Sequence, residues 1–238
     1  ERERVGCDHA ERADRMRSSE IRELLKLLDQ PGITSFAGGI PDPALFPLAE
    51  IEAAYSSVLG DGALARSALQ YSVSEGYLPL REWIVAHMAS LGVACTPDNI
   101  MITCGSQQAL EFLGRLLISP GDTVLATAPT YLGALQAFSA YEPCYDELRP
   151  ESGNRTPQSY AQAARAKGGA VKFIYLVPDF ANPTGATLPL AARERVLDLA
   201  TELDVPVIED SAYAQLRFAG EPVPCILARD MARAGDID

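Results

Sequence analysis

Four polar segments of this chain lie just after short apolar runs, and their side chains could together hold a flat, anionic molecule. Gly105-Ser106-Gln107 opens a helical stretch, where backbone N–H groups and the helix dipole favour an anion such as phosphate. Tyr131 offers a ring for stacking, and Asn182 offers an amide donor from an irregular Asn-Pro-Thr-Gly loop. Asp210 offers a carboxylate at the end of a buried run, with the phenol of Tyr213 three residues further on.

Each segment also has an ordinary structural explanation when it is taken alone. Ser106 could be a helix cap, Tyr131 a core side chain and Asn182 a turn residue that satisfies its own backbone. Asp210 could be a solvated residue at the start of a loop. Taken together, the four segments suit a phosphorylated heteroaromatic ligand whose ring nitrogen becomes cationic.

The apolar runs that precede these segments alternate with stretches of helical spacing. Strands are predicted over 100–103, 123–126, 144–148, 171–177 and 205–208. Helices are predicted near 18–28, over 48–59, from 79, and over 106–118, 131–141, 156–167 and 190–203. Residues 233–238 are expected to form a loop that leads into a further strand. Apolar strands with helices between them predict an α/β fold, a three-layer α/β/α sandwich with a mostly parallel sheet. Ligands bind outside the carboxyl ends of such strands, which is where the polar segments lie.

Composition excludes several classes of function. The chain has 238 residues, of which 47% are hydrophobic, so it can bury a sizeable core. Its 20 basic and 32 acidic residues give a net charge of −12, which argues against binding to nucleic acid or to an anionic membrane. Five cysteines form no C-x-x-C pair and there are only two histidines, so we expect that the chain has no metal site. The cysteines are expected to be free thiols, which predicts a cytoplasmic location.

The order and spacing of the segments resemble the class I/II aminotransferase family of fold-type I pyridoxal-phosphate enzymes. The resemblance extends from residue 36 to residue 218. Gln70-Tyr71 is similar to the family's Q-Y segment, Asn182-Pro183-Thr184-Gly185 to its N-P-T-G loop, and Asp210-Ser211-Ala212-Tyr213 to its D-x-x-Y. Gly38-Gly39-Ile40-Pro41 resembles the branch that contains 2-aminoadipate and broad-specificity aromatic aminotransferases.

The resemblance implies a role for each candidate residue in binding pyridoxal 5'-phosphate. Backbone N–H groups of Gly105, Ser106 and Gln107 would hold the phosphate, and Tyr131 would stack on the ring. Asn182 and Tyr213 would hydrogen-bond the phenolic oxygen of the ring, and Asp210 would pair with its protonated nitrogen.

The resemblance also implies a homodimer and a division into two domains. Tyr71 would reach the phosphate bound by a neighbouring subunit, and Gly39 would lie beside the substrate carboxylate. Residues 1–47 would form an N-terminal arm and a helix that contribute to a small domain, and 48–238 the large cofactor-binding domain. The substrates would be an amino acid and a 2-oxo acid.

One departure from the family concerns the catalytic lysine. The chemistry needs a lysine that forms a Schiff base with the cofactor, but the chain contains only Lys26, Lys167 and Lys172, and none of them follows Asp210. No catalytic residue is therefore visible, and we expect the native chain to continue past Asp238 with a strand, a Ser-x-x-Lys segment and an arginine for the substrate carboxylate. Two alternatives stay open: a lyase on the same fold, and an effector-sensing domain of a transcriptional regulator.

Overall fold

The computed structural model describes Ala10, Ala13, Gly39 and residues 41–235; the helix predicted near 18–28 lies outside these residues. The described chain forms two compact units, one containing residues 41–74 and one containing residues 75–235. The domain boundary expected after residue 47 is not tested by these two units and stays a prediction.

The unit of residues 41–74 is helical. It contains helix α1, Leu48–Gly60, and helix α2, Gly62–Ala68. Asp61 separates them, because its carboxylate accepts hydrogen bonds from the N–H groups of Ala63 and Leu64 at 2.8 and 3.0 Å and so caps α2. None of the residues 41–74 is buried, so the apolar side chains of α1 lie open on its surface.

The unit of residues 75–235 contains a parallel sheet with helices between its strands. The strands are β1 Thr123–Thr127, β2 Cys144–Leu148, β3 Val171–Leu176 and β4 Val207–Glu209, in the spatial order β2-β1-β3-β4. The helices are α3 Leu78–Ser90, α4 Ser106–Leu117, α5 Leu132–Ser139, α6 Pro157–Ala166, α7 Leu190–Leu203 and α8 Ile226–Gly235. All three strand pairings are parallel, which confirms the predicted α/β fold.

The core has two halves, one on each face of the sheet. Because successive strand residues point to opposite faces, Val124 and Phe173 pack with α4 and α5, whereas Leu125 and Ile174 pack with α6 and α7. All four of these side chains are 0% exposed. Strands buried on both faces explain why the sequence shows continuous apolar runs instead of an alternating pattern.

Two strand predictions need correction. Residues 100–103 form no strand: Met101 is 56% exposed, and the N–H of Ile102 donates to the carbonyl of Glu75 at 2.9 Å instead of joining a ladder. An apolar run needs a neighbouring strand to pair with, and the described chain offers none there. The last strand begins at Val207 and not at residue 205, because Pro206 has no N–H; its carbonyl accepts from Ile174 at 3.0 Å.

The segment from Arg233 onward was predicted to be a loop, but residues 233–235 belong to α8. Arg233 contacts the carboxylates of Glu194 and Asp198 on α7, the second at 2.9 Å. These ion pairs join α8 to α7 and hold residues 233–235 as the last turn of an amphipathic helix, whose apolar residues Ile226, Leu227 and Met231 come before the polar segment. Residues 236–238 lie outside the described residues.

A buried arginine on α7 connects several loops of this unit. Arg193 is 0% exposed and forms an ion pair with Asp179 at 2.9 Å, while Glu209 lies 3.9 Å away. Its guanidinium also donates to the carbonyls of Pro178, Leu188 and Pro224 at 3.1 to 3.3 Å. The loop after β3, the end of β4 and the segment before α8 are therefore held by one side chain.

Replacing this arginine is expected to destabilise the fold strongly. Arg193→Met should lower the free energy of unfolding by about 3–5 kcal/mol, because the buried carboxylate of Asp179 would keep only Arg217 and the half-buried carboxylate of Glu209 would lose its cationic neighbour. Urea unfolding measures the loss. Arg195→Met is the matched control on the same helix: Arg195 is exposed and donates only to the carbonyl of Pro150, so its loss should stay below about 1.5 kcal/mol. Equal losses in the two variants would contradict the role of Arg193.

Candidate active site

The parallel sheet brings the segments that follow β1, β3 and β4 to one edge. Tyr131 comes after β1, Asn182 after β3, and Asp210 and Tyr213 after β4. The amide of Asn182 donates to the hydroxyl of Tyr213 at 3.3 Å, although 31 residues separate them. Tyr131 and Tyr213 both pack against the apolar cluster that contains Tyr175. The predicted convergence of these residues at the carboxyl edge is therefore present in the fold.

The carboxylate of Asp210 is held by a residue that the sequence argument missed. The hydroxyl of Tyr175, on β3, donates to Oδ2 of Asp210 at 2.9 Å. Tyr175 is opposite Ile208 in the sheet register. Asp210 comes two residues after Ile208, and side chains two residues apart lie on the same face of a strand, so Tyr175 and Asp210 share a face. The available signal was a tyrosine inside an apolar strand, since a buried phenol usually needs a hydrogen-bond partner.

Burial and neighbouring groups also change the pKa of the Tyr131 hydroxyl. Desolvation, followed by the proximity of Tyr213 and Asp210, raises the pKa of Tyr131 above its usual range. Tyr131 therefore stays neutral at physiological pH, and its ring is available as an apolar stacking surface beside the Asp210 carboxylate.

The candidate phosphate turn, Gly105 to Gln107, combines a left-handed glycine with the start of a helix. Gly105 has φ +80°, a left-handed conformation that favours glycine, and a Cβ atom built there would meet nothing within 4 Å. Helix α4 begins at the next residue, Ser106, and the N–H groups of a first helical turn have no acceptor within the helix. Gln107 extends across to the segment after β1 and donates to the carbonyl of Gly133 at 3.0 Å.

Gly133 also determines where the ring of Tyr131 can lie. A Cβ atom built on Gly133 would fall 2.4 Å from Cζ of Tyr131 and 2.5 Å from its hydroxyl oxygen. The ring is therefore folded over the bare backbone at position 133. Any side chain there would push the ring away, so the candidate stacking ring and the phosphate turn depend on the same glycine.

Buried charges support the loops that carry Asn182 and Asp210. Asp179 pairs with Arg193 and also with Arg217, at 3.1 Å, and the guanidinium of Arg217 lies 4.7 Å from the ring centre of Phe180. Phe180 has φ +49°, an uncommon conformation for an aromatic residue. Arg217 thus holds both Asp179 and the ring of Phe180, in the loop that leads to the candidate amide donor.

Glu209, the residue before Asp210, belongs to the same charged cluster. Its carboxylate accepts hydrogen bonds from the N–H groups of Ile226 and Leu227, at 3.0 and 3.2 Å, and so caps α8. Burial raises the pKa of the Glu209 carboxyl, while these N–H groups and Arg193 act in the opposite direction. The end of β4 is therefore anchored on the side opposite to the candidate site.

Other features are separate from this edge. Gly39 and Tyr71 belong to the other unit and are exposed, so their predicted roles stay predictions. A cavity of about 830 Å³ runs beside β4 between α3, α7 and α8, and none of the predicted cofactor contacts lines it. Within residues 41–235 we find no group of three or more side chains suited to a metal ion, and no helix there is long and apolar enough to cross a membrane.

Several known proteins match this chain along most of its length. The family described as "Aminotransferase class I and II" matches residues 47–233. A 2-aminoadipate transaminase from Thermus thermophilus is 41% identical over 227 residues, which cover 94% of this chain and 55% of the relative. Aromatic-amino-acid aminotransferase 1 from Thermococcus litoralis is 40% identical over 225 residues, covering 93% and 54%.

A solved structure shows the same architecture. The kynurenine aminotransferase of Pyrococcus horikoshii, crystallised in complex with PMP, superposes with a TM-score of 0.81 at 41% identity, covering 93% of this chain and 55% of that one. The chain spans about half the length of the curated relatives that it matches. The sheet, the strand-end residues and these similarities lead to one conclusion: the chain belongs to the class I and II aminotransferase family.

Proposed function

We propose that this chain forms the pyridoxal 5'-phosphate-binding part of an aminotransferase that exchanges an amino group between an amino acid and a 2-oxo acid. The observation that carries the proposal is the cluster at the sheet edge, where Asn182 contacts Tyr213 and Tyr175 holds the carboxylate of Asp210. The aminotransferases named above favour this function over a lyase or an effector-sensing regulator on the same fold. The cytoplasmic location expected from the cysteines belongs to the same proposal.

The described residues fit the proposed cofactor in shape and in charge. The open turn at Gly105 and the start of α4 offer N–H donors to a phosphate, and Tyr131 offers a ring face. Asp210 offers a carboxylate that would hold a proton on the ring nitrogen, and Asn182 and Tyr213 lie together where both could donate to one oxygen. When bound, pyridoxal phosphate supplies an electron sink that acidifies the α-carbon of an amino acid.

The amine for covalent attachment does not come from the described residues. Lys172 pairs with Asp122 at 3.5 Å, and Lys167 donates to the carbonyl of Tyr145 at 3.2 Å. Asp122 precedes β1, and Lys172 is the second residue of β3, so this lysine lies roughly 15 Å from the carboxyl edge at about 3.3 Å per residue. We therefore assign cofactor binding to the described chain and catalysis to the whole protein.

The proposed enzyme is a homodimer in which Tyr71 reaches the partner's site. Tyr71 is 99% exposed, and among the described residues Leu48, Ile51 and Tyr55 of α1 are 46 to 68% exposed. Apolar side chains that stay open in one subunit are expected to be covered by another surface. A second copy of the chain would cover them and bring Tyr71 to a neighbouring phosphate.

The proposed function requires that the purified apo protein bind pyridoxal phosphate through Asp210. Asp210→Asn should weaken binding at least about 30-fold, because the cationic ring nitrogen would lose a half-buried charged partner. Equilibrium dialysis measures the affinity. Asp198→Asn, a carboxylate paired with Arg233 away from the site, should leave the affinity unchanged. A wild-type protein that binds no pyridoxal phosphate, and whose whole chain transaminates no 2-oxo acid, would refute the proposed function.

Gly133→Ala should separate cofactor stacking from fold stability. The new methyl group displaces the Tyr131 ring, so pyridoxal-phosphate affinity should fall about three- to tenfold. Stability should change by less than about 1 kcal/mol, because the gain of alanine over glycine in a helix offsets packing lost by the displaced Tyr131 ring. Affinity and urea unfolding are measured together. Gly235→Ala, at a helical position with open space around it, should change neither affinity nor stacking. Unaltered affinity in Gly133→Ala would argue against stacking by Tyr131.

The shared site can be tested by mixing two inactive variants of the whole protein, Tyr71→Ala and Asp210→Ala. Random subunit exchange makes half of the dimers hybrid, each with one intact site, so activity should return to about one quarter of the wild-type value. Transamination assays before and after exchange measure the recovery. If exchange is proven by mass spectrometry and no activity returns, Tyr71 does not act across subunits.

A further inference from the structure

Tyr175 lies in the centre of the sheet, directly behind the candidate site. Its side chain is 0% exposed, and its ring packs edge-to-face on Phe138, with centroids 5.8 Å apart and planes at 81°. Phe138 makes a second edge-to-face contact with Phe173, two residues earlier on β3. This aromatic packing fixes the direction in which the Tyr175 hydroxyl points, and that direction is toward Asp210.

The hydroxyl can act only as a donor to Asp210. Burial, followed by the nearby Asp210 carboxylate, raises the pKa of Tyr175 far above its usual range, so the phenol keeps its proton. A protonated phenol that donates to a carboxylate stabilises the charged form of that carboxylate. The backbone of Asp210 is fixed as well, because its N–H donates to the carbonyl of Leu176 at 3.0 Å.

We propose that Tyr175 is a positioning residue that holds one carboxylate oxygen of Asp210, so that the other oxygen faces a cationic ring nitrogen. Oδ2 of Asp210 accepts the hydrogen bond from Tyr175, which leaves Oδ1 for a ligand. Without Tyr175, the carboxylate would be free to rotate about its terminal bond, and the ion pair with the ring would lose its preset geometry. This inference rests on the proposed binding of pyridoxal phosphate.

Two ligands separate positioning of Asp210 from a general structural effect. Pyridoxal phosphate carries the ring nitrogen, whereas deazapyridoxal phosphate has a C–H group in its place and keeps the phosphate, the aldehyde and the phenolic oxygen. Only the first ligand can pair with Asp210. A loss of orientation at Asp210 therefore weakens binding of the first ligand and spares the second, while a distorted site weakens both.

The test measures the affinity of the apo whole protein and its Tyr175→Phe variant for both ligands. Phenylalanine keeps the aromatic packing and removes only the hydroxyl, so pyridoxal-phosphate binding should weaken about tenfold or more, with deazapyridoxal-phosphate binding unchanged. In an Asp210→Asn background the same substitution should cause little further loss. Tyr175→Met, which removes the ring as well, provides a second variant and should show the same selectivity between the ligands.

Tyr160→Phe is the matched control. Tyr160 is also a buried tyrosine, 1% exposed, but its hydroxyl donates to the carbonyl of Glu147 on the other face of the sheet. It should leave both affinities unchanged. Equal losses for both ligands, or no loss for either, in Tyr175→Phe would overturn the positioning role alone. A wild-type protein that binds neither ligand would overturn the proposed function and this inference together.

Discussion

A buried guanidinium holds together the loops on which this site depends. Arg193 sits behind the sheet edge, where its charge is balanced by Asp179 and its N–H groups are satisfied by three backbone carbonyls. A buried charge is tolerable only when it is paired and hydrogen-bonded in this way. Because these partners come from separate stretches of the chain, the loop after β3 and the segment before α8 cannot move independently.

The parallel sheet brings the candidate binding residues, which follow β1, β3 and β4, to one edge. Parallel strands deliver their carboxyl ends to the same side, so the polar segments that follow these three strands lie together. There Asn182 donates a hydrogen bond to Tyr213, and Tyr175, inside the sheet, donates one to Asp210. The polar groups at the edge are thus positioned by contacts to one another as well as by the strands.

Small residues decide how closely the candidate stacking ring and the candidate phosphate turn approach each other. The ring of Tyr131 lies over Gly133, whose carbonyl receives the amide of Gln107 from the start of α4. A left-handed backbone at Gly105 opens the turn before that helix. Gly133 therefore links the candidate stacking ring to the candidate phosphate turn, through its contact with Tyr131 and its hydrogen bond from Gln107.

Much of this arrangement could be predicted from the sequence. Helix α7 and strand β2 have the predicted bounds, because each lies between clear breaks in the sequence. Local patterns misjudged residues 100–103, where an apolar run has no described strand to pair with, and the segment from Arg233, where ion pairs to α7 extend a helix.

The sequence by itself determined the fold class, through local periodicity, and the order of Gly105, Tyr131, Asn182 and Asp210 along the chain. The family followed from the resemblance of these motifs to known aminotransferases. Only the tertiary structure decided how those side chains are held. The partners Tyr175 and Asp210 are 35 residues apart, and the bond between them depends on strand register and burial. Neither quantity is encoded in a local stretch of sequence, since both arise from packing distant segments against each other.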